Sequence, residues 1–504
     1  MTGEPHIGRW LEHHAVFRGD SPAITFEDGA VTTYGDLDRW ASTTAAYLSS
    51  TLGVGRGDRV AYLGFNTPEM IALLFACARL GAILVPMNWR LTPAELGFIA
   101  ADCAPKALFH DPDHATAAAA AAREAPGCPA LPLSEIPPGG PAPDQPVDTG
   151  RLDDPLLIVY TSGTTGRPKG AVLRQRALMV NALNSVDMHG LAHGDTVLVA
   201  LPLFHVGGLN IQFTPALYAG ASVHLHGKFD PAAVLDAIET VRPDLLVLVP
   251  ATMQALMAQP RFAAADLSSL RMITTGSTIV AVDLIAAYEA RGLPVIQVYG
   301  STETCPIAAY QRPGEGRTNP TSTGRAALLS ALKVIDGDGG EITQPGVEGE
   351  IAVKGDHVMT GYWNNEAATR AVLADGWFRT GDVGTIDAAG NLYFRDRLSN
   401  VIISGGENIY PAEIDRVLRL VDGIEEAAIV GVADEKWGEV PAAAVVCPGG
   451  PVPQESIQAT LDVELARFKH PKHIVFVDAL PRNAMGKVVM EDVRDIVQAK
   501  LDHG

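Results

Sequence analysis

The sequence has 504 residues, of which 47% are hydrophobic and 19% are charged. This composition is that of a globular chain and excludes disorder, and the length calls for at least two domains. Lys and Arg total 38 against 58 Asp and Glu, which gives a net charge of −20. General nucleic-acid binding is therefore not expected, because it needs a basic face.

The cysteines and the apolar runs point to a reducing, aqueous compartment. The five cysteines form no CxxC pair, so we expect reduced thiols and neither a disulfide framework nor a zinc site. The N-terminus lacks a basic start followed by an apolar run, and no run is suited to span a bilayer. We predict a cytoplasmic protein that is a monomer or a homodimer.

The order of predicted elements indicates an α/β fold. From Val31 to about His110, apolar runs alternate with amphipathic stretches, and the pattern restarts at PLLIVY after a Pro/Gly-rich connector. Strands alternating with helices predict doubly wound parallel sheets. Short Gly-punctuated strands from about Glu341 predict a small β-region. We place the end of a large N-terminal domain at 396, and we expect residues 397–504 to form a small α+β domain.

The segment YTSGTTGRPKG, from Tyr160 to Gly170, follows the predicted buried strand PLLIVY. Its three glycines allow tight turns with N–H groups aimed at an anion, and hydroxyls and the Lys169 ammonium add to the site. Pro168 stands where the nucleotide P-loop needs its second glycine, so this is not that motif. A flexible polar loop is the alternative reading.

The segment resembles the signature of the adenylate-forming superfamily of acyl-CoA synthetases, luciferases and nonribosomal adenylation domains. The other motifs of that superfamily follow in order: PLFH at 202–205, TTGS at 274–277, YGSTE at 299–303, WFRTGD at 377–382, DR at 396–397, SGGENIYPAEI from Ser404 and PRNAMGK ending at Lys487. The resemblance covers nearly the whole chain. It implies a carboxylate–CoA ligase that uses ATP, Mg²⁺ and coenzyme A on a small-molecule carboxylic acid.

The resemblance also implies a role for each motif. Adenylation brings a carboxylate to the α-phosphate of ATP, so its barrier is largely electrostatic and is lowered by placed cations and donors. Thr302 is expected at the α-phosphate, and Glu303 with Thr161 is expected to hold Mg²⁺. The nucleotide contacts implied are Thr161, Ser162, Gly163, Thr164, Thr165, Gly166, Lys169, Gly276, Ser277, Tyr299, Gly300, Ser301, Asp382 and Arg397. Asp382 is expected on the ribose diol and Tyr299 against adenine, although core packing explains a tyrosine there equally well.

Lys487 is the residue that we expect to carry adenylation, bridging the attacking carboxylate and the α-phosphate. The resemblance implies that the C-terminal domain then rotates about the boundary, with Ser399 as the hinge. Ser404, Gly405 and Gly406 would line the pantetheine tunnel. Members of the superfamily usually carry Lys or Asp at the position of Ser399, often followed by an acidic residue, where this chain has Asn400. This departure puts the balance between adenylation and thioesterification in question.

The segments expected to wall the acyl site are 205–213, 275–278 and 299–309, and none contains Arg or Lys. A second substrate carboxylate would find no partner there, so a medium or long aliphatic acid or an aryl or polycyclic acid is predicted. His205 is expected to orient the carboxylate or gate the tunnel, or else to be a hydrogen-bonded core histidine. Gly207 and Gly208 are expected to leave room for the acyl group. The predicted lining is Val206, Gly207, Gly208, Leu209, Phe213, Thr275, Cys305, Pro306 and Ile307.

Two alternatives remain open at this stage. An adenylating enzyme that loads a carrier protein is less favoured, because no fused carrier domain follows. A protein that only binds nucleotide, or that runs only thioesterification, is suggested by Ser399 and Asn400. Intact Lys169, Glu303, Asp382, Arg397 and Lys487 oppose it.

Overall fold

The apolar runs of the first three hundred residues form two mainly parallel sheets in a computed structural model of the protein. The structure describes residues 5–136, 147–161, 168–404, 407–434, 436–483 and 486–502. Within them, the first sheet has nine strands in the spatial order Arg325–Ala326, Ala309–Tyr310, Val295–Tyr299, Met272–Gly276, Leu245–Val247, Thr196–Val199, Ser222–Leu225, Pro22–Phe26 and Val31–Thr33. Its six central strands run parallel, and the pairs at both ends are antiparallel.

The second sheet has the order Gly361–Tyr362, Lys169–Arg174, Pro155–Thr161, Ile83–Met87, Arg59–Leu63, Ala107–His110 and Ala130–Pro132 in the described chain. Five of these strands are parallel neighbours, and the first two are antiparallel to the strand beside them. The α/β class predicted from the alternating pattern is confirmed.

Helices connect and cover these strands. They span Arg9–Arg18, Tyr34–Ser50, Pro68–Leu80, Pro93–Cys103, Ala115–Arg123, Gln175–His189, Val206–Gly208, Thr214–Ala219, Pro231–Val241, Pro250–Met257, Val282–Glu289, Glu315–Thr318 and Glu366–Val372. Helix Pro68–Leu80 is largely apolar: Thr67 caps its start, Pro68 occupies the first turn, and Gly81 ends it at a φ of 71°. A helix that is apolar all round belongs in the interior, and residues 70–80 are all buried. Arg79 is tolerated there because it pairs with Asp38.

A third sheet follows, with strands Ala331–Ile335, Gly349–Lys354, Trp377–Ile386 and Leu373–Ala374 in that order, and with Leu392–Arg397 paired to Trp377–Ile386. The chain divides into two units. The larger contains residues 1–333, 352–379 and 389–392, and the smaller contains residues 334–351, 380–388 and 393–504.

The smaller unit contains the α+β pattern predicted after Arg397. Its sheet has the order Glu407–Ile409, Ile402–Ser404, Gly438–Val446 and Glu426–Asp434, with His473–Val477 parallel to Gly438–Val446. Alternate residues of a strand face opposite sides, and accordingly Ile429 packs in one cluster with helices Pro411–Leu418 and Gln454–Glu464. Its neighbour Val430 packs with helix Met490–Asp502 on the other side.

The described residues also bear on the expectations for the cysteines and for membrane-spanning helices. All five cysteines are free thiols. No helix in the described ranges combines the length and apolarity that a membrane span requires.

Candidate functional site

The glycine-rich loop joins two adjacent antiparallel strands, with Thr161 paired to Lys169 across its base. The incoming strand is parallel to Ile83–Met87, so the loop begins at the carboxyl end of a parallel strand, the edge where such sheets bind ligands. Ser162, Gly163, Thr164, Thr165 and Gly166 lie outside the described residues. Thr161 donates from its hydroxyl to the Lys169 carbonyl over 3.4 Å.

Glu303 and Lys169, predicted from separate motifs, meet at one tyrosine. The Tyr362 hydroxyl donates to Glu303 Oε1 over 2.8 Å, and Lys169 Nζ lies 5.5 Å from the centre of the Tyr362 ring. All three side chains are half-buried. The structure therefore brings together the cation of the glycine-rich loop and the carboxylate of YGSTE.

The YGSTE segment is a tight turn at the end of strand Val295–Tyr299. A Cβ on Gly300 would lie 1.5 Å from the Pro306 carbonyl oxygen, so only glycine fits. The Thr304 hydroxyl accepts from Ser301 N over 2.9 Å and donates to Pro306 O over 2.8 Å. Thr302 is 6% exposed. The turn is thus held by its own hydrogen bonds, as preorganised electrostatic catalysis requires.

Tyr299 is 7% exposed, so its ring packs mainly in the core, which is the second reading that the sequence allowed. Adenine stacking on Tyr299 stays a prediction. Gly276 ends strand Met272–Gly276, and a Cβ there would lie 2.4 Å from the Val298 carbonyl oxygen. Ser277 follows with a φ of 75° and is exposed.

Helix Gln175–His189 holds the predicted acyl-wall segments together through its buried amides. Asn181 donates from Nδ2 to Asn210 O over 2.6 Å and accepts from Ile307 N over 3.0 Å. Asn210 donates in turn from Nδ2 to Cys305 Sγ over 3.5 Å. Two wall segments that lie far apart in sequence are therefore joined by one asparagine side chain.

The predicted lining residues are mostly packed in the interior. Val206, Leu209, Phe213, Thr275, Cys305 and Ile307 are each 7% exposed or less. Gly208 requires a correction, because its lack of a side chain does not leave room for a substrate. A Cβ there would lie 2.3 Å from the Pro202 carbonyl oxygen, so backbone already fills the space. At Gly207 a Cβ would lie 3.2 Å from His205 Nδ1. Pro306 follows Cys305 through a cis peptide bond.

His205 caps the short helix Val206–Gly208, and its Nδ1 accepts from Gly207 N over 3.1 Å. An imidazole nitrogen that accepts a hydrogen bond carries no proton, so the neutral ring is protonated at Nε2. That tautomer is the one in which Nε2 can donate to a carboxylate. His205 is half-buried.

His189 lies behind the wall and is neutral for a physical reason. Burial lowers its pKa to about 4. Its Nδ1 is 2.9 Å from Ser185 O and its Nε2 is 2.8 Å from Thr274 Oγ1. Since a carbonyl only accepts, Nδ1 carries the proton and Thr274 donates to Nε2. Gln212 Nε2 completes the chain by donating to Thr274 Oγ1 over 3.3 Å.

Because folded His189 is neutral, we expect the free energy of unfolding to fall in acid. A histidine in the unfolded chain titrates near 6.5, so between pH 6.5 and about 4 the unfolded state binds the proton and the folded state does not. The stability that His189 contributes is full above pH 6.5 and is lost as the pH falls to 4, by up to about 3 kcal/mol.

We therefore expect the His189→Gln variant to be less stable than wild type at pH 7.5 but to lose less of its melting temperature on going to pH 5. Thermal unfolding at both pH values tests this. His193→Gln, at an exposed histidine, should behave as wild type, and equal losses in wild type and His189→Gln would contradict the assignment.

Asp382 and Arg397, both in the smaller unit, form an ion pair. Arg397 Nε lies 2.8 Å from Asp382 Oδ1, and the aspartate side chain is 6% exposed against 53% for the arginine. Asp382 N also donates to Thr380 Oγ1 over 3.1 Å. The carboxylate that is the candidate for ribose binding is thus buried and oriented, and it is paired with Arg397, another of the expected nucleotide contacts.

The predicted hinge lies in a short 3₁₀ turn, Leu398–Asn400, next to a buried carboxylate. Asp396 accepts from Asn400 Nδ2 over 3.0 Å, from Arg397 N over 2.7 Å and from Ala412 N over 2.9 Å. Burial raises the pKa of Asp396. Asn400, which departs from the superfamily pattern, is therefore bonded to Asp396. Ser399, which lies between these two residues in the chain, is exposed.

Lys487 is presented by a turn that Asn483 frames. Asn483 N donates to Lys487 O over 2.9 Å, and Asn483 Oδ1 accepts from Lys487 N over 3.1 Å. Gly486 takes a φ of 75° in this turn, and Lys487 is exposed. Ser404 ends strand Ile402–Ser404, whereas Gly405 and Gly406 lie outside the described residues.

Sequence reasoning missed Tyr362, Asn181 and His189. Tyr362 contacts a residue 59 positions away, and no spacing in the sequence points to that pair. Asn181 and His189 lie on one helix eight positions apart, which puts both near one face. Two polar residues on one face of a helix rich in Ala, Leu, Met and Val could have indicated a buried polar contact in advance.

This fold and this set of turns define an enzyme of the adenylate-forming class. The AMP-binding enzyme family matches residues 11–363, and the AMP-binding enzyme C-terminal domain matches residues 413–487. The chain belongs to the AMP-binding enzyme family.

Similar proteins indicate which branch of the AMP-binding enzymes the chain resembles. An indoleacetate–CoA ligase of Aromatoleum aromaticum is 48% identical and covers 98% of both chains. A feruloyl-CoA synthase of an Amycolatopsis species is 42% identical, over 97% of this chain and 98% of the relative. The solved o-succinylbenzoate CoA synthetase of Bacillus subtilis, in complex with the acyl-adenylate intermediate OSB-AMP, is 31% identical, with a TM-score of 0.88 and coverage of 98% and 99%. The predicted class, an AMP-forming acid–thiol ligase of the acyl-CoA synthetase branch, is confirmed.

Proposed function

We propose that this enzyme makes the CoA thioester of an aryl-substituted monocarboxylic acid through an acyl-adenylate. The acid attacks ATP to give acyl-AMP and pyrophosphate, and the CoA thiol then displaces AMP. The observation that carries the proposal is full-length similarity to ligases named for indoleacetate and for ferulate, at 48% and 42% identity.

The acyl wall supports a monocarboxylic acid. Segments 205–213, 275–278 and 299–309 contain no Lys or Arg, so a second carboxylate would be desolvated there without a cation. His205, with its proton on Nε2, orients the reacting carboxylate by donating to it. The apolar side chains Val206, Leu209 and Ile307 form the interior behind the aryl group.

The residues proposed to hold the nucleotide come from several of the motifs. Lys169 and the N–H groups of the glycine-rich loop bind the β- and γ-phosphates, and Thr302 donates to the α-phosphate. Gly276 and Ser277 lie along the base through their main chain, with Tyr299, Gly300 and Ser301 beside it. Asp382, held by Arg397 at 2.8 Å, accepts from the ribose hydroxyls.

Glu303 fits a site for Mg²⁺. Mg²⁺ uses one or two carboxylates and completes its coordination with substrate phosphates and water. Among the described residues, the Glu303 side chain has one hydrogen-bond partner, the Tyr362 hydroxyl on Oε1, which leaves carboxylate lone pairs for a hard cation. Thr161 is the second candidate ligand. When bound with ATP, Mg²⁺ supplies charge neutralisation at the phosphates.

Lys487 supplies the point charge for adenylation. As the carboxylate attacks, its ammonium stabilises the negative charge shared by the entering oxygen and the α-phosphate. We propose that the C-terminal part then reorients about Ser399, and that Ser404, Gly405 and Gly406 line the path of the pantetheine.

A substrate panel tests the proposal. Purified enzyme, ATP, Mg²⁺ and CoA are incubated with indole-3-acetate, phenylacetate, ferulate, octanoate, palmitate and o-succinylbenzoate, and each thioester is measured by mass. An aryl monocarboxylate should exceed both the aliphatic acids and the dicarboxylate by at least about tenfold in kcat/KM, a difference of 1.4 kcal/mol. Preference for an aliphatic acid or for the dicarboxylate would reject the aryl assignment.

Pyrophosphate release, measured beside thioester formation, separates the remaining alternatives. Pyrophosphate release that depends on the acid but gives no CoA thioester would favour transfer to a carrier protein. Thioester formation from supplied acyl-adenylate, without pyrophosphate release from any acid, would identify an enzyme of the second half-reaction.

A further inference from the structure

Tyr362 contacts both charged groups that the proposed function assigns to the phosphates of ATP. Its hydroxyl donates to Glu303 Oε1 over 2.8 Å. The face of its ring receives the Lys169 ammonium at 5.5 Å from the ring centre, within the range of a cation–π contact. One side chain therefore touches the anion and the cation of the site at once.

The backbone fixes where this tyrosine stands. Strand Gly361–Tyr362 is antiparallel to Lys169–Arg174, with Tyr362 opposite Ala171. Trp363 N donates to Gly170 O over 2.7 Å, next to Lys169. On the other side, Met359 N donates to Glu303 O over 2.8 Å. The segment 359–363 thus links the backbone of the glycine-rich loop's second strand to the backbone of the YGSTE turn.

We propose that Tyr362 is a positioning residue that sets Glu303 for the Mg²⁺ of MgATP and holds Lys169 for the phosphates. The proposal rests on the proposed function, and it gives the tyrosine two separable actions. The hydroxyl fixes the rotamer of the Glu303 carboxylate, so that metal affinity depends on it. The ring confines the Lys169 ammonium, so that phosphate affinity depends on it even without metal.

Two substitutions separate the hydroxyl from the ring. Tyr362→Phe removes the hydrogen bond and keeps the ring, and Tyr362→Leu removes both. The measurement is calorimetric binding of ATP, without acid or CoA, once with excess Mg²⁺ and once with EDTA. The ratio of the two dissociation constants isolates the contribution of the metal.

For Tyr362→Phe we expect ATP affinity in EDTA within about twofold of wild type and a Mg²⁺-dependent gain that is smaller by about tenfold, as for a hydrogen bond to a charged group. For Tyr362→Leu we expect the same loss and, in addition, about two- to fivefold weaker binding in EDTA, the lower part of the range for cation–π contacts. Acid-dependent pyrophosphate release should need more Mg²⁺ for half-maximal rate in both variants.

Tyr310→Phe is the matched control, because it also removes a tyrosine–carboxylate hydrogen bond, to Asp187, away from the proposed phosphate residues. It should leave both dissociation constants unchanged. A Tyr362→Phe enzyme with the wild-type Mg²⁺-dependent gain would overturn the proposal, and so would equal weakening in EDTA and in Mg²⁺, which a purely structural role produces. Wild-type enzyme that binds ATP but releases no pyrophosphate with any acid would instead contradict the proposed function.

Discussion

Lys487→Ala should reduce acid-dependent pyrophosphate release by about 10²- to 10³-fold, the cost of removing one preorganised charge donor from an electrostatic transition state. Thioester formation from supplied acyl-adenylate and CoA should fall by less than about tenfold, because that step no longer joins two anions at the α-phosphate. Pyrophosphate release and single-turnover thioester formation, measured on the same preparation, test the two halves separately.

The Lys487 prediction has a control on the same unit. Lys500 is also exposed and lies on helix Met490–Asp502, so Lys500→Ala changes the charge equally and should leave both half-reactions at wild-type rates. Because Lys487 is exposed and its turn is framed by the backbone and Asn483, the alanine variant should melt as wild type. Equal losses in both half-reactions would refute the assigned role.

The sequence predicted well those features that are local along the chain. The α+β pattern after Arg397 follows from alternating and helical patterns within short windows, and the smaller unit contains strands and helices there. Gly300 stands in a motif, and its close approach to Pro306 O involves a residue only six positions away. Local steric demands of this kind are visible in residue type and spacing.

The sequence did not predict contacts between distant segments. Asn181 joins residues 210 and 307, and Tyr362 joins strand Lys169–Arg174 to Glu303. Which residues meet in this way depends on which strands become neighbours in the fold. A polar residue in an apolar helix therefore does not by itself indicate which distant residue it will bond. Gly208 shows a related error. A glycine in a sequence can make room either for a ligand or for a neighbouring backbone, and residue type does not distinguish the two. In the structure a Cβ on Gly208 would lie 2.3 Å from the Pro202 carbonyl oxygen, so the neighbour is backbone.

Glu303→Gln should reduce acid-dependent pyrophosphate release by about 10²-fold at fixed Mg²⁺, since the neutral amide is a poorer ligand for a hard cation. The amide keeps an oxygen that can accept from Tyr362, so the turn around Gly300 should persist and the melting temperature should change little. The effect differs from that of Tyr362→Phe, in which the carboxylate remains and only its orientation is released. Excess Mg²⁺ should therefore restore most of the activity of Tyr362→Phe and little of that of Glu303→Gln.

A carboxylate elsewhere on the larger unit provides the comparison. Glu315 pairs with Arg325 and has no assigned part in catalysis, so Glu315→Gln should retain the wild-type rate and the wild-type Mg²⁺ requirement. Initial rates over a range of Mg²⁺ concentrations distinguish the three variants. If Glu303→Gln reached the wild-type rate at high Mg²⁺, its carboxylate would not be a metal ligand, and the site at the YGSTE turn would have to bind the nucleotide through Lys169 and the backbone alone.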